Sequence, residues 1–187
     1  MYFRKATAAD IDAVAKIYEH VHDADEAAKV TVCWERGVYP TRATAEEALK
    51  RGDLYVCEVG EAVSVCADST SSCREIVASG IINKLQVDVY ADVNWEHEVA
   101  DEEVCVLHTL VVEPAALRKG YGRAFVGFYE DLAREWGCPE LRIDTNVRNA
   151  FARSMYAGLG YKEVGIVPTV FNGIPGVFLV MMEKWLG

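Results

Sequence analysis

The chain has 187 residues and a net charge of −10, from 29 acidic and 19 basic side chains. This length fits one domain, residues 1–187, with its own core, and the negative charge argues against binding to nucleic acid or to anionic membranes. Because a signal-peptide pattern and a bilayer-spanning apolar run are both absent from the sequence, we expect a cytoplasmic protein.

Hydrophobic periodicity and breaker residues predict a mixed series of strands and helices. In chain order, the first half contains strand 2–6, a helix near 10–21, a short helix near 43–51, and strands 54–59 and 77–87. The connection 60–76 is unusually long and polar around Asp68-Ser69-Thr70-Ser71-Ser72. We expect this insertion to be mobile and to take no part in catalysis.

The second half continues the alternation of strands and helices. It contains strand 104–112, helix 120–136, strand 141–145, a helix that Asn149 opens, and strands near 161–168 and 176–184. Asn149 is expected to cap its helix, because its side chain can accept a hydrogen bond from an unpaired N–H of the first turn.

The six cysteines show neither a C-x-x-C pair nor a Cys/His spacing suited to zinc, so we predict no metal site. They are Cys33, Cys57, Cys66, Cys73, Cys105 and Cys138. Cys105 lies in an apolar run, where a free cysteine behaves as a small core residue. Cys66 and Cys73 flank the Ser-rich segment of this insertion and could pair, but a cytosolic setting favours free thiols.

The segment Leu107–Gly122 joins a hydrophobic strand, a short loop and two glycines at the start of a helix. Unpaired N–H groups at a helix N-terminus favour anions, and Gly120 and Gly122 allow a ligand to approach them closely. Positive side chains close to these groups are Arg118, Lys119 and Arg123. We therefore expect a ligand that carries phosphate groups.

This segment could belong to one of three known kinds of phosphate-binding site. A nucleotide P-loop requires G-x-x-x-x-G-K-[ST], which the sequence lacks, and a dinucleotide G-x-G-x-x-G would need a glycine where Phe125 stands. The third kind fits better: the segment resembles motif A of the GNAT superfamily of acyl-CoA-dependent N-acetyltransferases, with its [QR]-x-x-G-x-[GA] loop. Downstream, Asn149–Tyr161 resembles the family's motif B, N-x-x-A-x-x-x-Y-x-x-x-G-[FY], and residues 3–18 resemble its first strand and helix.

The resemblance implies an α+β GNAT-like fold, with a central, mostly antiparallel sheet of six to seven strands and helices on both faces. It implies acetyl-CoA as cofactor, with the pyrophosphate at the glycine loop and the pantetheine arm on the main chain of a bulged motif A strand. Leu117 departs from the family's usual Gln or Arg. The cofactor contacts carried over are Leu110, Val111, Val112, Leu117, Arg118, Lys119, Gly120, Tyr121, Gly122, Arg123, Ala124 and Asn149.

Tyr156 in motif B is the candidate general acid, because a phenol stays protonated at neutral pH and can protonate a departing thiolate. His108 titrates in a range suited to a general base, and alternation places Val106, His108 and Leu110 on one face of the strand. The run around His108 resembles arylalkylamine acetyltransferases, but Val106 stands where their second relay residue belongs. His108 is thus a catalytic or a structural histidine, and Glu103 or a water chain stays open as the base.

Seven acidic residues without an intervening Lys or Arg lie between 88 and 103. They form either a solvated acidic loop or a field that attracts a cationic amine. Aromatic and polar residues expected in nearby loops are candidate walls of the acceptor site. These substrate-binding candidates are Trp34, Tyr39, Gln86, Tyr90 and Trp95.

The resulting hypothesis is an acetyl-CoA-dependent N-acetyltransferase that acts on a small, cationic primary amine by direct attack in a ternary complex. Leu117 and Val106 leave open a noncatalytic acyl-CoA-binding or sensory module. A protein lysine or N-terminal acetyltransferase is the third alternative. A pairing edge strand would permit a homodimer.

Overall fold

The computed structural model describes residues 1–60 and 74–187, which contain one seven-stranded sheet. The strands are β1 Tyr2–Lys5, β2 Leu54–Val59, β3 Glu75–Asn83, β4 Val104–Val112, β5 Glu140–Asn146, β6 Lys162–Phe171 and β7 Ile174–Trp185. Their order across the sheet is β1-β2-β3-β4-β5-β7-β6. All neighbouring strands are antiparallel except β4 and β5, so the predicted mostly antiparallel sheet is confirmed.

Helices cover both faces of the sheet, as the α+β prediction requires. They are α1 Ile11–Glu26, α2 Arg42–Arg51, α3 Tyr121–Glu135 and α4 Ala150–Ala157. Apolar residues of α1 and α2 share one core cluster with Leu54 and Val56 of β2. Phe125 and Tyr129 of α3 belong to another, together with Cys57 of β2. Since Val56 and Cys57 are adjacent in a strand, these two clusters lie on opposite faces.

Residues 84–103, which we call the covering segment, pack over β4, β6 and β7 where the four helices leave the sheet open. Apolar side chains of this segment pack against the sheet in one cluster with Val104 and Met181: Val87, Val89, Tyr90, Val93, Trp95 and Val99. The seven acidic residues of 88–103 are all exposed to solvent. The apolar side chains therefore hold the covering segment on the sheet without a regular strand.

Two predicted boundaries are wrong for identifiable reasons. Strand 77–87 is too long, because β3 ends at Asn83, whose side-chain oxygen accepts a hydrogen bond from Leu85 N at 2.9 Å and turns the chain. Helix 10–21 is too short. The structure continues it to Glu26, because buried His22 and Ala24 extend the apolar face.

The last two strands are longer than predicted and form a hairpin. Phe171 pairs with Ile174 across a two-residue turn, in which Asn172 and Gly173 have φ of 48° and 88°. Asn-Gly is the preferred sequence for such a turn, because both residues tolerate positive φ. This turn brings Phe171 and Asn172 to the cavity described below.

Residues 61–73 lie outside the described part of the chain, and with them most of the predicted insertion and the possible Cys66–Cys73 pair. Cys57, Cys105 and Cys138 are buried, which confirms the core position expected for Cys105. Among residues 1–60 and 74–187, no helix is both long and apolar enough to cross a membrane.

Candidate active site

The parallel strands β4 and β5 separate partway along their length. They pair from Val104 with Glu140 to Leu107 with Ile143, and both strands then continue apart. Thr109 has a φ of 50°, and the β3–β4 register shifts between Ser79 and Ile81. A bulge of this kind bends a strand and leaves main-chain groups unpaired. The structure thus contains the bulged motif A strand that the resemblance implies.

The bulge also changes which side chains share a face. Val106 packs in the cluster beneath the covering segment, whereas Leu110 packs with the α3-side cluster that contains Leu107. The predicted grouping of Val106, His108 and Leu110 is therefore wrong for Leu110, because strict alternation fails at Thr109. Val112 also packs on the α3 side, and Val111 on the α1 side.

The glycine loop ends in an uncapped helix N-terminus. Gly120, the N-cap of α3, has a φ of 87°, and the first helical hydrogen bond runs from Ala124 N to Gly120 O at 3.0 Å. Gly120 has no side chain to cap the first turn, so the N–H groups before Ala124 are available to an anion. The charged residues next to these groups in the chain are exposed to solvent: Arg118, Lys119 and Arg123.

Gly122 has a different role from Gly120. A Cβ at position 122 would lie 3.3 Å from Met155 Sδ and 3.7 Å from Val112 Cγ2, so its absence lets α3 pack close to α4 and β4. Leu117, Tyr121 and Ala124 are half-buried. Gly122 thus serves the packing of α3, whereas Gly120 leaves the first turn of the helix uncapped.

A cavity of about 650 Å³ opens at the separation of β4 and β5. Tyr156, His108 and Asp144 all line it, from α4, β4 and β5. Leu110 and Asn149 also reach the cavity, and Asn149 Oδ1 accepts the N–H of Ala152 at 3.1 Å. The predicted helix cap at Asn149 is thus confirmed.

The Tyr156 side chain is buried, with 5% of its surface exposed. Burial raises the pKa of its hydroxyl above the ordinary value, and the nearby Asp144 carboxylate raises it further. Tyr156 is consequently protonated throughout the physiological pH range. It can donate a proton to a group in the cavity.

His108 Nε2 lies 3.2 Å from Asn83 Oδ1 and 3.0 Å from the Leu85 carbonyl. Both are acceptors, so the neutral ring carries its proton on Nε2 and keeps a lone pair on Nδ1. Burial lowers the pKa of His108, although Asp144 and the Leu85 carbonyl act in the opposite direction. A neutral imidazole that can accept a proton therefore lines the cavity.

Asp144 is a cavity residue that the sequence reasoning missed. Its Oδ2 accepts the hydroxyl of Tyr90 at 2.9 Å. Burial raises the pKa of Asp144, while His108 and the Tyr90 hydroxyl lower it. The available signal was the pattern Leu141-Arg142-Ile143-Asp144, which places two charged side chains on one face of a central strand.

Three of the five predicted wall residues line the cavity, namely Trp34, Tyr39 and Gln86. The Tyr39 hydroxyl bonds to Thr109 Oγ1, and its ring packs edge-on against Trp34 and Phe171. Tyr90 and Trp95 do not line the cavity: they belong to the covering segment and pack against the sheet, and Tyr90 contacts the site through its hydrogen bond to Asp144. Their apolar bodies are needed to cover the open face of the sheet.

The acidic run does not supply the acids of the cavity in the described structure. Those are Asp144 and Glu47, from β5 and α2. Glu103, the alternative base, is exposed, and its carboxylate accepts the N–H of Ala100 at 3.2 Å. His108 is therefore the predicted base candidate that lines the same cavity as Tyr156.

Comparison with known proteins agrees with this geometry. Residues 34–161 match the model of the acetyltransferase (GNAT) family, and the chain belongs to that family. A search of curated protein sequences finds no significant match.

Solved structures share the fold at low sequence identity. A GNAT-family acetyltransferase from Streptococcus agalactiae has a TM-score of 0.74 and 18% identity, over 98% of this chain and 94% of that one. Ribosomal-protein-alanine N-acetyltransferase from Brucella melitensis has a TM-score of 0.67 and 20% identity, over 100% of both chains. The structure of yncA from Salmonella typhimurium, with its cofactor acetyl-CoA, has a TM-score of 0.62 and 18% identity, over 100% of this chain and 94% of that one.

Proposed function

We propose that this protein is a cytoplasmic N-acetyltransferase that transfers the acetyl group of acetyl-CoA to the primary amine of a small, cationic acceptor. The observation that carries the proposal is the convergence of a protonated phenol, a neutral imidazole and a carboxylate, Tyr156, His108 and Asp144, in one cavity. This cavity lies where β4 leaves β5, and the same strand β4 leads into the glycine loop and the uncapped N-terminus of α3. Family membership supports the acyl-transfer chemistry.

The donor side of the site is suited to coenzyme A. The N–H groups at the start of α3 would hold the pyrophosphate, with Arg118, Lys119 and Arg123 around it. The main chain of Leu110–Val112, beyond the part of β4 that pairs with β5, would hold the pantetheine arm. Acetyl-CoA supplies the thioester that is cleaved.

The acceptor side of the site is suited to an ammonium group. Asp144 and Glu47 line the cavity as carboxylates, whereas the lining cation Arg51 is paired with Asp53 at 2.8 Å, so a cationic acceptor is favoured there. Trp34, Tyr39 and Phe171 restrict the space around them, which favours a small molecule over a peptide. The proposal therefore names Asp144 as the residue that anchors the amine.

In the reaction, the amine first loses a proton, for which His108 Nδ1 is the acceptor. The amine nitrogen then forms a bond to the acetyl carbon as the carbon–sulfur bond breaks, and the Tyr156 hydroxyl protonates the departing thiolate. The new amide nitrogen gives its second proton to the tyrosinate, which restores the phenol, and His108 releases its proton to solvent. Atoms and charges balance without a covalent acyl-enzyme.

The test is release of free coenzyme A thiol from acetyl-CoA in the presence of monoamines, diamines, amino acids and a lysine-containing peptide. We expect turnover with small cationic amines. Turnover with the peptide alone would identify a protein-modifying enzyme, and tight coenzyme A binding without turnover on any acceptor would identify a binding module.

Asp144→Asn tests the anchor, since it removes the charge and keeps the shape. We expect KM for the amine to rise about 10-fold or more, because the variant loses a charge-assisted hydrogen bond to the ammonium group. The Kd for coenzyme A should not change. Exposed Asp92→Asn is the matched control, and it should leave both constants unchanged.

A further inference from the structure

Two carboxylates are buried at the end of the sheet remote from the cavity. Glu140 begins β5, whereas the cavity is reached at the other end of this strand, at 144–146. In the β5–β7 ladder Glu140 pairs with Trp185, and Arg142 pairs with Glu183. Glu140 and Glu183 are therefore diagonal neighbours on one face, with 0% and 2% of their surface exposed.

A histidine of the covering segment points at this pair. His97 Nδ1 lies 3.6 Å from Glu140 Oε2, which is too long for a hydrogen bond. Both atoms are buried, and neither has a hydrogen-bond partner among the described residues. The His97 ring is held in place by stacking on Trp185, with 4.3 Å between ring centroids and an interplanar angle of 12°.

The charges around the pair do not balance. Arg142 Nε lies 3.5 Å from Glu140 Oε1, and Glu183 accepts the N–H of Glu96 at 3.0 and 3.2 Å. Lys162 pairs across β6–β7 with Glu183, but its Nζ bonds to Glu96 instead, at 2.7 Å. One guanidinium thus faces two buried carboxylates, so the site needs a further positive charge, either a proton or a cation.

We propose that His97, Glu140 and Glu183 form a binding site for a divalent transition metal ion of the zinc class. One imidazole nitrogen and two carboxylate oxygens lie within 4.8 Å of one another, and this donor set suits zinc. An ion there would neutralise the charge of the two carboxylates. His97 Nδ1 and Glu140 Oε2, the two atoms without a partner, would become its ligands. It would also tie the covering segment to β5 and β7.

A bound proton is the competing solution for the same charge. Burial and the neighbouring Glu183 both raise the pKa of Glu140, so the carboxyl can hold a proton at neutral pH. A proton can bridge the two carboxylates, but it leaves a gap of 3.6 Å between Glu140 Oε2 and His97 Nδ1. The test must therefore separate metal binding from protonation.

The experiment is calorimetric titration of Zn²⁺ into chelator-treated, reduced protein, together with thermal unfolding. We expect one tight equivalent that is lost in His97→Ala, and a rise in Tm of about 5 °C or more at saturating Zn²⁺. His20→Ala is the matched control, because His20 is a part-exposed histidine that pairs with Glu113 elsewhere, and it should bind Zn²⁺ like the wild type.

Glu140→Gln should also lose the equivalent while it still binds coenzyme A, which shows that the fold is intact. The proposal is overturned if the wild type binds no Zn²⁺, or if His97→Ala binds it as tightly as His20→Ala. Stability that changes with pH but not with Zn²⁺ would mean that a proton alone balances the pair.

Discussion

At the scale of single residues, the hydroxyl of Tyr156 is the most direct test of the chemistry. Tyr156→Phe removes only this group from a side chain that is already buried. Because a general acid contributes typically 10²- to 10⁴-fold to a rate, we expect kcat to fall about 100-fold. The Kd for coenzyme A, measured by calorimetry, should not change. An unaltered kcat would remove Tyr156 from the role of acid.

Asp10 shows how one buried carboxylate contributes to stability. Arg4 donates to both of its oxygens, at 2.7 and 2.8 Å, and also bonds to Glu58. This pairing with Arg4 lowers the pKa of Asp10 to about 2, from 3.8. The folded-state pKa is depressed, so the stabilisation is fully present above about pH 4 and is lost as the pH falls towards 2.

Asp10→Asn should therefore lower the free energy of unfolding by about 2 kcal/mol at pH 6, since one pKa unit corresponds to about 1.4 kcal/mol. Urea unfolding at pH 6 and pH 3 measures the difference. The gap between wild type and variant should shrink at the lower pH. An equal gap at both values would show that Asp10 acts through shape and not through charge.

The site shows which residues a sequence can reveal on its own. The Asn149 cap and the glycine loop depend on neighbours a few residues away, so local pattern predicted them. Asp144 becomes a site residue only because the fold brings Tyr90 and His108 to it. Tyr90 and Trp95 were misplaced for the same reason, since an aromatic residue looks alike on a cavity wall and in a core.

At the scale of elements, close packing of α3 on the sheet depends on Gly80 in β3. A Cβ there would lie 2.7 Å from Phe125 Cε1 and 3.2 Å from Leu107 Cδ1. We expect Gly80→Ala to lower the free energy of unfolding by about 1–3 kcal/mol, through overpacking.

Gly127 in α3 provides the control, because a Cβ added there meets nothing within 4 Å. Gly127→Ala should raise the free energy of unfolding by about 0.5–1 kcal/mol, as expected for a helix interior. Urea midpoints report both variants. A neutral Gly80→Ala would mean that α3 can shift away from β3 at no cost.

The existence of each strand and helix followed from periodicity, and their ends did not. β3 ends where the side chain of Asn83 accepts a hydrogen bond from the N–H of Leu85. β6 and β7 continue to the Asn-Gly turn that joins them. The bulge at Thr109 could not be predicted from L-H-T-L-V-V, because it is visible only in the pairing register with β3 and in the φ of Thr109. Resemblance to the family predicted the bulge, whereas periodicity alone predicts a regular strand.

At the scale of the whole molecule, charge is divided between the two halves of the chain. Residues 1–103 hold 10 basic and 21 acidic side chains, against 9 and 8 in residues 104–187. The exposed cations of the glycine loop therefore act within a molecule that otherwise repels coenzyme A. Affinity for the cofactor should depend on salt.

We expect the Kd for coenzyme A to rise several-fold between about 50 and 500 mM NaCl, because the Debye length falls to a few ångströms. Lys119→Ala should weaken binding at low salt and reduce this dependence. Calorimetry at both salt concentrations measures the effect. If the Kd did not depend on salt, coenzyme A would be bound by the main-chain amides alone, without a contribution from the loop cations.

The outer walls of the cavity come from stretches of chain that are distinct from the glycine loop at 117–124. These walls are residues 32–51 and the hairpin residues around 171–179. Under the proposed function, exchange of these outer stretches is expected to change the acceptor preference and to leave the affinity for acetyl-CoA unchanged. Directed evolution confined to the 32–44 and 171–174 stretches is the direct route to such variants.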